Sequence, residues 1–151
     1  GPFFNFSIPE PSGVVAICAP QESSLLGLVS TVIPVVVSGN TAVVVTSTAR
    51  PLPAITWAEC LATSDVPNGV INILTGDHSE IAPWLASHLD VDGIDLTGVT
   101  DAGLASRLEA EAAVNLKRFT RPVDEDWSER PHLRRLSRFI ETKTVWHPIG
   151  V

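Results

Sequence analysis

The sequence predicts an α/β fold: an open, mainly parallel twisted sheet with helices on both faces. Three observations predict it. Short β-branched runs alternate with longer stretches of helical periodicity. The runs are apolar at successive positions, the pattern of strands buried on both faces. Their βαβαβαβα order implies parallel strands joined by right-handed crossovers, which lay helices over the sheet.

The elements follow in order. "GVVAICA" (13–19) is the first strand, and "LLGLVSTVIPVVVSG" (25–39) a helix with a kink or start at Pro34. "TAVVVTS" (41–47) is the second strand. "RPLPAITWAECLATS" (50–64) places its prolines as at a helix start, ahead of apolar periodicity. "VPNGVINILTG" (66–76) gives a turn and a third strand, and "HSEIAPWLASHLD" (78–90) a helix. "GIDLTG" (93–98) is a fourth strand, "DAGLASRLEAEAAVN" (101–115) an amphipathic helix, and "LKRF" (116–119) the start of a fifth strand. The charged stretch 123–138 reads as a linker or surface helix. "FIETKTVWHPIGV" (139–151) alternates like a strand, with Thr142, Thr144 and Trp146 on one side. Such a lone terminal strand is expected to pair with an exposed edge, in its own chain or a neighbour's. The expected units are therefore 1–122, 123–138 and 139–151.

The bulk numbers narrow the function classes. A chain of 151 residues fits one domain with a real core. The net charge of −7 disfavours nucleic acid or an anionic membrane as partner. No apolar run reaches the length of a membrane span, because Pro34 and "SGN" break the longest one. The start has neither the basic region nor the cleavage pattern of a secretion signal. Methionine is absent, so a processed form, a fragment or an expression product with Gly1-Pro2 left by tag removal is expected. Cys18 and Cys60 sit in apolar contexts and read as core residues of a cytoplasmic protein.

Few residues offer chemistry. The four histidines lack metal-ligand spacing, and no zinc site is expected. Asp90, Asp92 and Asp95 in "DVDGID" read as a solvated loop at a strand entry, since the closing glutamate of a calcium loop is missing. Glu22 in "PQESS" lies at the carboxyl end of the first strand, where open α/β sheets place ligands. Helix capping is the favoured role for it and catalysis the second. "LTGVTDAG" (96–103) sets a strand, a glycine turn and a helix start together. Its amides and the Thr97 or Thr100 hydroxyl can hold an anion, although an ordinary turn is the favoured reading.

Taken together, these segments resemble the coenzyme-binding domain of the aldehyde dehydrogenase superfamily. The resemblance rests on "GVVAICAP", "LLGLVSTVIPVVVSGNTAVVV", "SDVPNGVINILTG", "LASHLDVDGIDLTGVTDAG" and "NLKRF", in the family's order and spacing over residues 11 to 119. It implies a Rossmann-like fold for 1–122. "FIETKTVW" is similar to the family's C-terminal strand, part of its oligomerisation element. By this resemblance Pro20, Gly76, Thr97, Gly98 and Thr100 would line an NAD or NADP cleft.

The departures matter as much. The family's Pro-Trp-Asn supplies an asparagine to the oxyanion; here it reads Pro20-Gln21-Glu22, and a carboxylate would repel that charge. The ribose-binding Lys-Pro-Ser/Ala-Glu becomes Val45-Thr46-Ser47-Thr48, and the pyrophosphate turn Phe-Thr-Gly-Ser becomes Leu96-Thr97-Gly98-Val99. Each lost group forfeits about 1–3 kcal/mol where its partner is buried. Past Phe119 neither the general-base glutamate nor the nucleophilic cysteine has a counterpart, and thioester chemistry without a thiolate has no mechanism. A catalytically empty unit is expected: a structural or interaction subunit, homo-oligomeric or paired with an active aldehyde dehydrogenase, with no tightly bound cofactor. The alternatives are a residual NAD(P)-binding module and a piece of an active dehydrogenase.

Overall fold

The computed structural model describes residues 3–129 and 132–149. Strands β2 (Val14–Cys18), β3 (Thr41–Val45), β4 (Ile71–Leu74), β5 (Gly93–Asp95) and β6 (Arg118–Thr120) form one sheet in the order β4-β3-β2-β5-β6, and every pair in it is parallel. Helices α1 (Leu26–Val37), α2 (Leu52–Ala62), α3 (His78–Ser87) and α4 (Ala102–Ala113) make the crossovers.

The apolar run of β2 is explained by its central place. Val15 and Ile17 point to one face, against Leu28, Val32 and Val35 of α1. Ala16 and Cys18 point to the other, against Ala82 and Ala86 of α3 and Leu108 of α4. A period-two side-chain alternation with both faces covered needs apolar residues at every position. The small alanines on α3 and α4 let those helices approach the sheet closely. Helix α1 runs through Pro34 without ending there. Asp77 and Asp101 occupy the N-caps of α3 and α4, accepting from the Ser79 amide (2.7 Å) and the Leu104 amide (2.5 Å).

The terminal strand does not join the parallel sheet. β7 (Ile140–Pro148) pairs antiparallel with β1 (Phe3–Pro11) in a separate two-stranded ribbon. β1 was not expected from sequence, so residues 3–11 lie in the ribbon and not in the sheet with which they were grouped. Residues 150–151 of the expected closing strand lie outside the described residues. Phe139, at 2% exposure, anchors the ribbon: its ring lies on Gly93, where an added Cβ would stand 2.6 Å from the ring. Buried Asn40 ties the same junction, accepting from the Gly13 amide (2.9 Å) and donating to the Phe139 carbonyl (2.9 Å). Between β6 and β7 lies a short helix, α5 (Arg134–Ser137).

Two sequence expectations are corrected. Cys60 is exposed on α2, a helix of which only Ala54 is buried. Asp95 is not solvated: it is 2% exposed in β5 and accepts from the Thr97 amide (2.9 Å) and the Thr120 hydroxyl (2.7 Å). These bonds replace water around its carboxylate.

Candidate functional site

The strand order reverses at β2: the chain runs outward through β3 and β4, then returns to place β5 on the other side of β2. In an open α/β sheet such a switch point leaves a crevice at the carboxyl ends of the two strands. Two adjoining clefts, of about 210 and about 130 Å³, occupy that place. Pro20, Thr97, Gly98 and Thr100 line the smaller one, and Gly98 and Thr100 also border the larger. Gly76 borders neither. Its carbonyl accepts from the Thr48 hydroxyl (3.2 Å), and a Cβ on it would meet the Ile81 side chain at 2.5 Å.

The glycine turn is closed upon itself. The Gly98 amide donates to the Cys18 carbonyl (2.9 Å), the Val99 amide to the Leu96 carbonyl (2.9 Å) and the Thr97 amide to Asp95. A Cβ at Gly98 would lie 2.0 Å from the Ala19 carbonyl oxygen, so close approach of two backbone segments demands the glycine. The same turn offers no free amide at 97–99 to a phosphate.

The helix ends that face the cleft are also occupied. Asp77 and Asp101 border the larger part, each capping its own helix. Hydrogen bonds from Ser79 hold the Asp77 carboxyl below the usual range, so it is ionised. Glu22, Asp124 and Glu125 border the smaller part, and no lysine or arginine borders either among the described residues. An anion placed here would meet carboxylates at the helix termini that ordinarily attract it.

Glu22 does not cap a helix. The N-cap of α1 is Leu25, without a side-chain bond; the Ser23 hydroxyl instead accepts from the Gly27 amide (2.8 Å). Glu22 turns outward to an ion pair with Arg50 (2.9 Å), its side chain 88% exposed. Its neighbour Gln21 is the structural residue of the loop. Gln21 donates to the Ala19 carbonyl (3.1 Å), accepts from the Thr48 amide (2.9 Å) and meets the His78 imidazole. His78 is 6% exposed and bonds through Nε2 to the Val45 and Thr46 carbonyls (3.2 and 3.1 Å). Sequence reasoning gave no role to Gln21, His78 or the two capping aspartates. For Asp77 a signal was present: Asp77 with Glu80 three residues on has the spacing of a capping box.

Among the described residues no thiol borders the cleft. Cys18 is fully buried in β2, and burial, with the nearby Asp95 charge, pushes its thiol up to about 12. Among the described residues no cluster of His, Cys, Asp and Glu is arranged to hold a metal ion. The segment after β6 returns over the cleft mouth, where Val123, Asp124, Glu125 and Trp127 form part of the wall. Arg135 holds it there, paired with Glu125 at 2.5 Å and stacked 4.9 Å from the Trp127 ring centroid while only 5% exposed.

The switch-point crevice and helix-covered parallel sheet define a doubly wound domain of the nucleotide-binding type. The chain belongs to the aldehyde dehydrogenase family: the family model described as "Aldehyde dehydrogenase family" matches residues 2–121. It is 36% identical over 117 residues to aldehyde dehydrogenase family 2 member C4 of Arabidopsis thaliana, covering 78% of this chain and 23% of that one. It is 34% identical over 120 residues to aldehyde dehydrogenase 1A1 of Homo sapiens, covering 80% and 24%. Among solved structures, a Pseudomonas syringae aldehyde dehydrogenase complexed with NAD+ and octanal superimposes with a TM-score of 0.68 at 27% identity, over 76% of this chain and 23% of that chain. The chain thus spans about a quarter of the length of the relatives it matches. It covers part of the family's NAD-binding region, with that region's Rossmann-like fold.

Proposed function

We propose that this chain is a non-catalytic aldehyde-dehydrogenase-like unit. It acts as a structural or interaction subunit, oligomeric or paired with an active aldehyde dehydrogenase. One observation carries the reading: the crevice is lined by its own carboxylates at the helix ends and has no cation among the described residues. The Asp77 and Asp101 carboxylates would repel a phosphate at the helix N-termini that would otherwise attract it. The buried Cys18 supplies no thiolate in their place. A cytoplasmic setting accords with two unpaired cysteines. No helix among the described residues is long and apolar enough to cross a membrane.

A second reading, residual NAD(P) binding, draws on the Thr97 hydroxyl, which is buried beside the smaller cleft without a hydrogen-bond partner. Titration with NADH and NADPH, read by tryptophan quenching, separates the two. Absence of saturation up to millimolar nucleotide is the expected result, and micromolar saturation replaces the first reading with the second. The assembly role is tested by mixing the chain with an active aldehyde dehydrogenase of the same source. Co-elution or altered activity is expected. A chain that neither self-associates nor binds that enzyme removes the role.

A further inference from the structure

The crevice that repels a phosphate suits the opposite charge. Its two parts adjoin, with Gln21, Gly98 and Thr100 bordering both. In the smaller part Glu22 is paired with Arg50 and Glu125 with Arg135, whereas Asp124 has no ion pair among the described residues. The same part borders Thr97, a residue only 6% exposed, whose hydroxyl is closed off from solvent without a hydrogen-bond partner. A buried hydroxyl left unpaired is costly, and a donor entering the cleft removes that cost. In the larger part Asp77 and Asp101 each use one carboxylate oxygen, Oδ1, for the cap, and neither Oδ2 has a hydrogen bond among the described residues. A helix N-terminus carries roughly half a positive charge, so a full carboxylate charge leaves each of these ends net negative. Apolar side chains share the walls with the carboxylates: Val99 and Leu104 in the larger part, Val123 and Trp127 in the smaller.

We propose that this crevice binds an unbranched aliphatic polyamine, with one ammonium at Asp124 and the Thr97 hydroxyl and another at Asp77 and Asp101. The inference goes beyond the assembly reading above, with which it shares only the acidic lining. Three features select the ligand. Carboxylates in both parts call for two cationic centres, and an ammonium offers the donors that the Thr97 hydroxyl and the free carboxylate oxygens lack. Apolar walls beside them suit the methylene chain that joins the two centres. Clefts of about 210 and about 130 Å³, set end to end, take a narrow chain without side branches. A metal ion is a poorer fit, because no cluster of His, Cys, Asp and Glu among the described residues is arranged to hold one. The carboxylates are divided between the two parts, and a ligand with separated charges meets both.

Calorimetric titration of the 151-residue chain with putrescine, butylamine and magnesium chloride tests this. Putrescine is expected to saturate a single site at least about tenfold more tightly than butylamine, because its second ammonium arrives already tethered. The affinity should fall as salt rises. Thr97→Val removes a hydroxyl that makes no bond within the fold, so the thermal midpoint should hold or rise while putrescine binding weakens severalfold. Asp124→Asn should weaken it likewise. Asp65→Asn removes the same charge from a residue that borders neither cleft and should leave binding intact. Absence of saturation up to millimolar putrescine, equal affinity for putrescine and butylamine, magnesium binding as tightly as putrescine, or an equal loss in Asp65→Asn overturns the inference. A chain that ignores putrescine yet captures an active aldehyde dehydrogenase overturns this inference alone. One that binds putrescine and associates with nothing overturns only the assembly reading. Micromolar saturation by NADH overturns both.

Discussion

Gln21 and His78 meet with 3.1 Å between Gln21 Nε2 and the ring Nε2, and 3.4 Å to Nδ1, in the floor of the cleft. With His78 Nε2–H donating to the Val45 and Thr46 carbonyls, the Gln21 amide can donate only to the unprotonated Nδ1 at 3.4 Å, and its 3.1 Å approach to Nε2 is a contact and not a hydrogen bond. A second ring proton would point a donor at a donor. This contact joins the loops that follow β2 and β3 to the start of α3, so the neutral imidazole is part of the fold.

The first prediction is a pH dependence of stability. Burial lowers the His78 pKa, against the opposing effects of the bonds to Val45 and Thr46 and the Asp77 charge. The unfolded chain protonates near the ordinary value of about 6.5 and the folded chain only at lower pH. This contribution is therefore complete above that value and is lost as pH falls below it. Urea midpoints should drop between pH 7.5 and 5.5, and His78→Gln should reduce that drop while costing stability at pH 7.5. An equal drop in both proteins would assign the acid sensitivity to other groups.

The two thiols should differ sharply. Cys60 is exposed and Cys18 is fully buried with its thiol raised to about 12. In native buffer at pH 8 an aromatic disulfide reagent should release one equivalent quickly. The second should appear only at the rate of unfolding or in denaturant. Cys60→Ser should abolish the fast phase and Cys18→Ser the slow one. A fast phase that survives Cys60→Ser would show that the strand β2 opens.

Gly98 separates packing from ligand contact. Its added Cβ would press on the Ala19 carbonyl at 2.0 Å, where no flexible side chain can yield. Gly98→Ala should cost about 3 kcal/mol by overpacking. The loss should be the same with and without nucleotide, because the turn bonds to Cys18 and not outward.

Much of this architecture was legible in the sequence. Strands β2 and β3 announce themselves because a strand buried on both faces must be apolar throughout, and Ala16 and Ile17 show the two faces directly. The departures at Glu22, Val45-Thr46-Ser47-Thr48 and Val99 were legible too, since each is a local fact of the sequence. β1 was not. In "FFNFSIPEP" Phe4, Phe6 and Ile8 alternate with Asn5 and Ser7, but the strand's partner lies far along the chain, as in the Ser7–Thr144 bond spanning 137 positions, and Pro9 and Pro11 obscured the pattern. The role of Glu22 failed for the same reason, because Arg50 arrives from the loop after β3. The return of Val123–Trp127 over the cleft depends on Arg135, ten residues beyond Glu125, in a stretch without periodicity.

The last prediction concerns the capping aspartates. If their charges, and not the shape of the crevice, exclude a dinucleotide, neutralising them should restore affinity while keeping the caps. Asparagine is as good an N-cap as aspartate, so Asp77→Asn and Asp101→Asn should alter stability by less than about 1 kcal/mol. Each should strengthen NADH binding severalfold, and the gain should shrink in high salt. The effects should add, because each aspartate caps a different helix. A double variant that binds no better than the wild type would place the obstruction elsewhere, with the closed turn at Thr97–Val99 and the Glu125–Arg135 strap as the remaining physical barriers.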